Sequence, residues 1–134
     1  GVLARDGQLT YSNAGHNPPL VISRGNQTDE PAIRRLDCGG TIIGAFPDAR
    51  YEQATVQLVA GDLVVVFSDG VTEAFNAEWE EFGDARLVES VRANRDLPPV
   101  SLLARVMASI KAFVKDAAQS DDVTVLVLRY MGQV

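Results

Sequence analysis

Cysteine, histidine and tryptophan each occur once in this chain, and its cations are outnumbered. The single Cys38 excludes an intramolecular disulfide and leaves no Cys spacing for a metal. No base stands near it in sequence to activate a thiolate, so it reads as a small, half-buried thiol beside a turn. Such sparing use suits a reducing compartment, and the expected location is cytoplasmic. Lys and Arg total 12 against 18 Asp and Glu, a formal net charge of −6 at pH 7. Arg34-Arg35 is the one basic pair. No cationic face is laid out for nucleic acid or anionic lipid, and neither is expected as a partner. No apolar run approaches the roughly 20 residues that cross a bilayer, and no signal-peptide pattern opens the chain. The abrupt start at Gly1-Val2-Leu3-Ala4 reads as a cut made inside a domain.

What is present is enough to fold. Of 134 residues, 46% are apolar and 22% charged, the balance of one globular domain with a core. No repeat or low-complexity tract interrupts it. Leu9 to Asn13 alternates as a half-buried strand does, Asn17-Pro18-Pro19 interrupts the ladder, and Leu20 to Ser23 resumes it. A turn over 24–27 and a short strand over 32–37 would complete an antiparallel meander. Cys38 to Pro47 is Gly-rich and irregular. Tyr51 to Val59 predicts a strand with Ala54, Val56 and Leu58 on one face. After Gly61-Asp62, the run Leu63 to Phe67 is apolar on both faces, as a central strand is.

The period then changes. Asp84 is placed to cap a helix over Ala85 to Ala93, and Pro98-Pro99 ends that region. Ser101 is placed to cap a second helix reaching about Ala117, in which Leu103, Val106, Met107, Ile110, Phe113 and Val114 form one apolar stripe. Val123 to Tyr130 closes the chain as a second buried strand. Strands, helices and a returning strand predict an α+β fold with helices packed on antiparallel sheet.

Two acidic clusters stand where a predicted buried strand meets a loop: Ser68-Asp69-Gly70-Val71-Thr72-Glu73 and Ser120-Asp121-Asp122-Val123-Thr124. A carboxylate at such an end is costly unless water or a cation compensates it. Neighbouring strands would bring Asp69 and Asp121 or Asp122 within reach of one hard cation, the oxygen-ligated kind exemplified by Mg²⁺ and Mn²⁺. Gly70 would let the backbone turn sharply beside it. Taken singly, Asp69-Gly70 is an ordinary turn and Asp121-Asp122 an ordinary solvated loop.

Four segments in order resemble the PPM-type metal-dependent protein phosphatases, most closely their SpoIIE/RsbU-like branch. Tyr11 to Leu20 looks like the family's Y-x-N-A-G-H-N-P-P-L stretch. Gly39 to Gly44 is similar to its G-x-x-L-G loop, with Ile43 where Leu is usual. Gly61 to Ala74 matches G-D-x-L-x-x-x-S-D-G-V-T-E, and Asp121 to Val127 matches the closing D-D-x-T strand. The resemblance implies an α-β-β-α sandwich holding two Mg²⁺ or Mn²⁺ ions, whose bound water attacks phosphoserine or phosphothreonine in line. It implies metal-site roles for Asp69 and Asp121, with Gly70 as the turn residue and Asp122 beside them. It places His16, the only histidine, and Asn17 along the catalytic site, in contact with phosphate or water. It also implies a phosphorylated protein substrate, in this branch a STAS-domain regulator of the anti-anti-sigma type.

One family motif is missing. The G-D-x-S-G-x-G stretch carries the aspartate that bridges both metals. Here Gly61-Asp62 and Gly83-Asp84 are the only Gly-Asp pairs, and neither is followed by Ser-Gly. The expectation is the C-terminal half of a phosphatase domain, over 1–134, with its N-terminal portion missing and negligible activity by itself. The alternative is a degenerate, non-catalytic module kept for protein binding. The exposed sheet edges of a half-domain make a homodimer a further expectation.

Overall fold

The computed structural model describes residues 1–24, 32–115, 117 and 121–133. The chain forms two compact units, Gly1–Val65 with Leu128–Val134, and Val66–Val127.

In the first unit, β1 (Val2–Leu3), β2 (Gln8–Tyr11) and β7 (Ala54–Gln57) form an antiparallel sheet in the order β1-β2-β7. The turn joining β1 to β2 needs Gly7, whose φ is +87°. Asp6 steadies that turn by accepting the Gln8 N–H at 3.0 Å. Along β7 the residues alternate between half-buried and exposed, and the following Leu58 is buried, as the spacing predicts. Two-residue strands β3 (Asn13–Ala14) and β6 (Gly39–Gly40) pair in parallel. Strand β4 (Leu20–Ile22) is wholly buried and pairs antiparallel with β5 (Ile33–Arg35) and β8 (Leu63–Phe67). The four-stranded sheet runs β5-β4-β8-β9, with β9 spanning Val125–Arg129.

The expected meander is only half present. β4 and β5 form a hairpin, but β2 lies in another sheet. Pro18 and Pro19 have no N–H to continue a ladder. Asn13 also turns the chain before them, its side chain donating to the His16 carbonyl at 2.9 Å and accepting the His16 N–H at 2.8 Å. The predicted turn over 24–27 lies, beyond Arg24, outside the described residues. β9 is the last strand in its sheet and is not buried on both faces. Its residues alternate, and Leu126 is 53% exposed.

The second unit is mainly helical: α1 (Asp69–Thr72), α2 (Gly83–Ala93) and α3 (Pro99–Val114). Its core is Phe67, Val71, Phe82, Leu87, Val91, Leu102, Val106 and Ile110, all buried. Phe113 meets Phe82 edge-on at 5.5 Å and carries the Arg86 guanidinium 4.6 Å above its ring. Two helix starts differ from expectation. Phe82 holds the cap position of α2, so Asp84 falls in the first turn, where a carboxylate still suits the helix dipole. Pro98 and Pro99 begin α3 rather than ending what precedes it, since a proline at the first helical position loses no hydrogen bond. Ser101 is therefore inside the helix. Of the expected stripe, Val106 and Ile110 are buried and Leu103, Phe113 and Val114 half-buried; Leu102 joins its buried part, whereas Met107 is 38% exposed. Lys111 and Lys115 are exposed, as predicted. Among the described residues no helix is long and apolar enough to cross a membrane.

Candidate active site

Strands β8 and β9 are neighbours, and Ser68 lies opposite Thr124 as Asp62 lies opposite Tyr130, the register of an antiparallel pair. The exit of β8 and the entry of β9 are therefore at one end of the sheet. The first helix turn, α1, begins at that exit with Asp69, whose main-chain carbonyl accepts the Glu73 N–H at 2.8 Å.

Two contacts fasten the Asp69 turn to the Asp121-Asp122 segment. The Ser68 hydroxyl donates to the Asp122 carbonyl at 2.9 Å and accepts the Thr124 N–H at 3.0 Å. Gly70 is buried with its α-carbon against the same segment. A Cβ there would overlap the Asp122 carbonyl oxygen and stand 2.9 Å from the Asp122 carbonyl carbon and 3.3 Å from that of Asp121. Gly70 is thus required by close approach of backbone to backbone. The two carboxylates are built alike. Asp69 Oδ1 accepts the Gly70 N–H at 2.9 Å, and Asp121 Oδ1 accepts the Asp122 N–H at 2.7 Å. Each side chain is folded back on the next amide and loses rotamer freedom.

Asp69, Asp121 and Asp122 are exposed. The burial cost expected from the sequence does not arise, because the carboxylates lie just beyond the strand ends, in contact with water. The chemistry of this cluster is that of oxygen donors open to solvent. Among the described residues no group of three or more His, Cys, Asp or Glu is placed to hold a metal.

His16 and Asn17 belong to the first unit. His16 is exposed, and its Nδ1 lies 2.8 Å from the Asn17 carbonyl. A carbonyl only accepts, so Nδ1 carries the hydrogen, and Nε2 is the acceptor nitrogen of the neutral ring. Asn17 thus enters the arrangement through its main chain. Sequence reasoning missed Ser68. Its signal was its place: a hydroxyl that can donate and accept at once, between a buried strand and the first carboxylate.

A buried carboxylate does occur nearby in sequence. Asp62 is 3% exposed and accepts the Val59 N–H at 3.0 Å and the Arg24 N–H at 3.1 Å. It pins a turn of the first unit, and that use explains its burial.

Known proteins resemble this chain in sequence and in fold. Protein IcfG of Synechocystis sp. is 27% identical over 121 residues, covering 90% of this chain. Phosphoserine phosphatase RsbU of Bacillus subtilis is 39% identical over 66 residues, covering 49% of it. The chain spans 18% of the length of each. Among solved structures, the SiaA PP2C domain of Pseudomonas aeruginosa superposes with a TM-score of 0.72 at 24% identity, over 93% of this chain and 47% of that one. The SpoIIE phosphatase domain of Bacillus subtilis, in a Mn-presoaked crystal, gives 0.68 at 19% identity, over 99% of this chain and 56% of that one. These likenesses show an α+β fold of the PP2C kind. The family model for Stage II sporulation protein E (SpoIIE) matches residues 2–131, nearly end to end. The chain therefore belongs to the SpoIIE family, the SpoIIE/RsbU-like branch of the PPM-type phosphatases.

Proposed function

We propose that this chain carries part of the metal site of a protein serine/threonine phosphatase, in which Asp69 and Asp121 bind Mg²⁺ or Mn²⁺. The observation that carries the reading is the joining of the two aspartate turns at one sheet end by Ser68 and Gly70. Exposed carboxylate oxygens fit a hard cation that keeps much of its water. Asp122 stands beside the ligands, and Gly70 admits the close approach. A bound ion of this kind lowers the pKa of water and offsets charge on a phosphoryl group. The chain's own residues orient: Ser68 fixes the strand ends, and each carboxylate is held by the amide that follows it. His16 and Asn17 are assigned to contact phosphate or the attacking water; a neutral His16 ring, accepting at Nε2, would take a hydrogen bond from the water. In the same reading residues 1–134 are the C-terminal half of one phosphatase domain, working in the cytoplasm with two ions when complete.

The substrate class proposed is a phosphoserine or phosphothreonine on a regulatory protein, of the STAS-domain anti-anti-sigma type. Self-association into a homodimer belongs to the proposal as well. The 134-residue chain by itself is expected to hydrolyse para-nitrophenyl phosphate negligibly, because two close cations need a bridging carboxylate and the G-D-x-S-G-x-G stretch is absent from it. A second reading, a non-catalytic binding module, draws on the same absence and on the lack of a three-donor group among the described residues.

The test is a side-by-side phosphatase assay of this chain, a longer chain containing it, and the Asp69→Ala and Asp121→Ala variants of the longer chain, across a Mn²⁺ titration. The longer chain should turn over and lose most activity in both variants. Indifference to both substitutions defeats the mechanism, and an inactive longer chain that still binds the regulator favours the module.

A further inference from the structure

The segment between α1 and α2 is a tightly fastened loop that presents the chain's only tryptophan to solvent. Trp79 is 81% exposed and has φ +62°. That conformation is a genuine outlier for a bulky residue and persists only where the surroundings impose it. Here they do. Phe75 and Glu81 form an antiparallel bridge at the base. Within the loop Asn76 Oδ1 accepts the N–H groups of Glu78 at 3.0 Å and Glu80 at 2.9 Å, and Trp79 N–H donates to the Asn76 carbonyl at 3.1 Å. Arg86 clamps the far side, donating to the Glu81 carbonyl at 2.8 Å. A loop this constrained offers its indole with little entropy left to lose on binding.

The same unit contains a seat of opposite character. A hollow of about 390 Å³ is lined by Phe75, Met107, Val114 and Val123, with Lys111 and Lys115 among its walls. It is apolar and cation-flanked, whereas Trp79 is an apolar knob beside Glu78; the next carboxylate, Glu80, is held within the loop by Asn76 Nδ2 at 3.0 Å and lies 3.9 Å from Arg86. Phe75 belongs to both features: its ring lies 5.9 Å from that of Trp79 and also lines the hollow. Knob and seat are therefore side by side on one unit, which is what a two-fold pairing of identical surfaces requires. We propose that two copies of this chain pair through this surface, each Trp79 entering the other copy's hollow with Glu78 facing Lys111 and Lys115. The proposal rests on the self-association reading given above, not on the metal site.

The test is sedimentation velocity of the 134-residue chain over a concentration series, with tryptophan emission followed in parallel. Because there is one Trp, emission reports this loop alone. The chain should dimerise, with emission shifting to the blue as concentration rises. Trp79→Asn should weaken pairing at least about tenfold, as loss of a central aromatic anchor does. Its melting temperature should hold or rise, because asparagine tolerates φ > 0. Glu78→Lys or Lys111→Glu alone should weaken pairing, and the two together in one chain should restore it. A monomer at every concentration overturns both this surface and self-association. A dimer indifferent to Trp79→Asn leaves self-association standing and overturns this surface. A dimer lost in Trp79→Asn but not restored by the charge exchange puts the indole in a different seat, and also overturns it.

Discussion

Ser68 and Thr124 bond to one another twice: the Ser68 N–H donates to the Thr124 carbonyl at 3.0 Å, and the Thr124 N–H donates to the Ser68 hydroxyl at 3.0 Å. The hydroxyl's own hydrogen goes to the Asp122 carbonyl. One side chain thus completes the β8–β9 ladder just where it would otherwise fray, beside both aspartates.

Ser68→Ala leaves the Thr124 N–H and the Asp122 carbonyl without this partner. Water can reach the neighbouring exposed segment, so the cost should stay near 1 kcal/mol. Mn²⁺ affinity, measured by calorimetry, should fall several-fold, and Ser68→Thr should recover most of it. A stability loss with unchanged Mn²⁺ binding would make Ser68 a strand-end residue and nothing more.

Gly70→Ala should be more harmful than its size suggests. The added methyl meets the Asp122 carbonyl, which is backbone and cannot rotate away. A destabilisation of about 1–3 kcal/mol is expected from such overpacking, read from urea unfolding midpoints. A neutral result would mean that the Asp121-Asp122 segment yields easily, and would weaken the case for a fixed pair of carboxylates.

The buried face of α3 separates neighbouring leucines. Leu102 is 0% exposed, so Leu102→Ala should cost about 2–5 kcal/mol. Leu103 is half-buried, and Leu103→Ala should cost clearly less. Equal losses in thermal unfolding would restore the stripe that the sequence suggested. Phe113→Asp should also destabilise, since it removes the edge-on contact with Phe82 and places a carboxylate on a half-buried position. Arg86 lies close enough to lessen that loss by pairing.

The sequence was most legible where one pattern had one physical meaning. Leu63 to Phe67 is apolar at every position, and β8, an inner strand between β4 and β9, is buried along nearly its whole length. Asp69 and Asp121 could be brought to one end from the position of each beside a strand. Val125 to Leu128 carries the same apolar signature yet lies at an edge, because strand order depends on partners distant in the chain. The start of α3 was misplaced because the Pro98-Pro99 pair can end one segment or open the next. The roles of Ser68 and Asn13 were not legible for a related reason: what a small polar side chain does is decided by which backbone comes near it.

The Ser68 latch also says something about the order in which this molecule assembles. Its hydroxyl reaches an acceptor 54 residues and a donor 56 residues along the chain, and α2 and α3, which lie between, are built from local hydrogen bonds. Closing so long a loop is paid in chain entropy before the contact returns anything. The two aspartate turns are therefore strangers to each other until the last strand is laid down. An ion that needs both would bind only the finished fold, and in doing so would hold it shut.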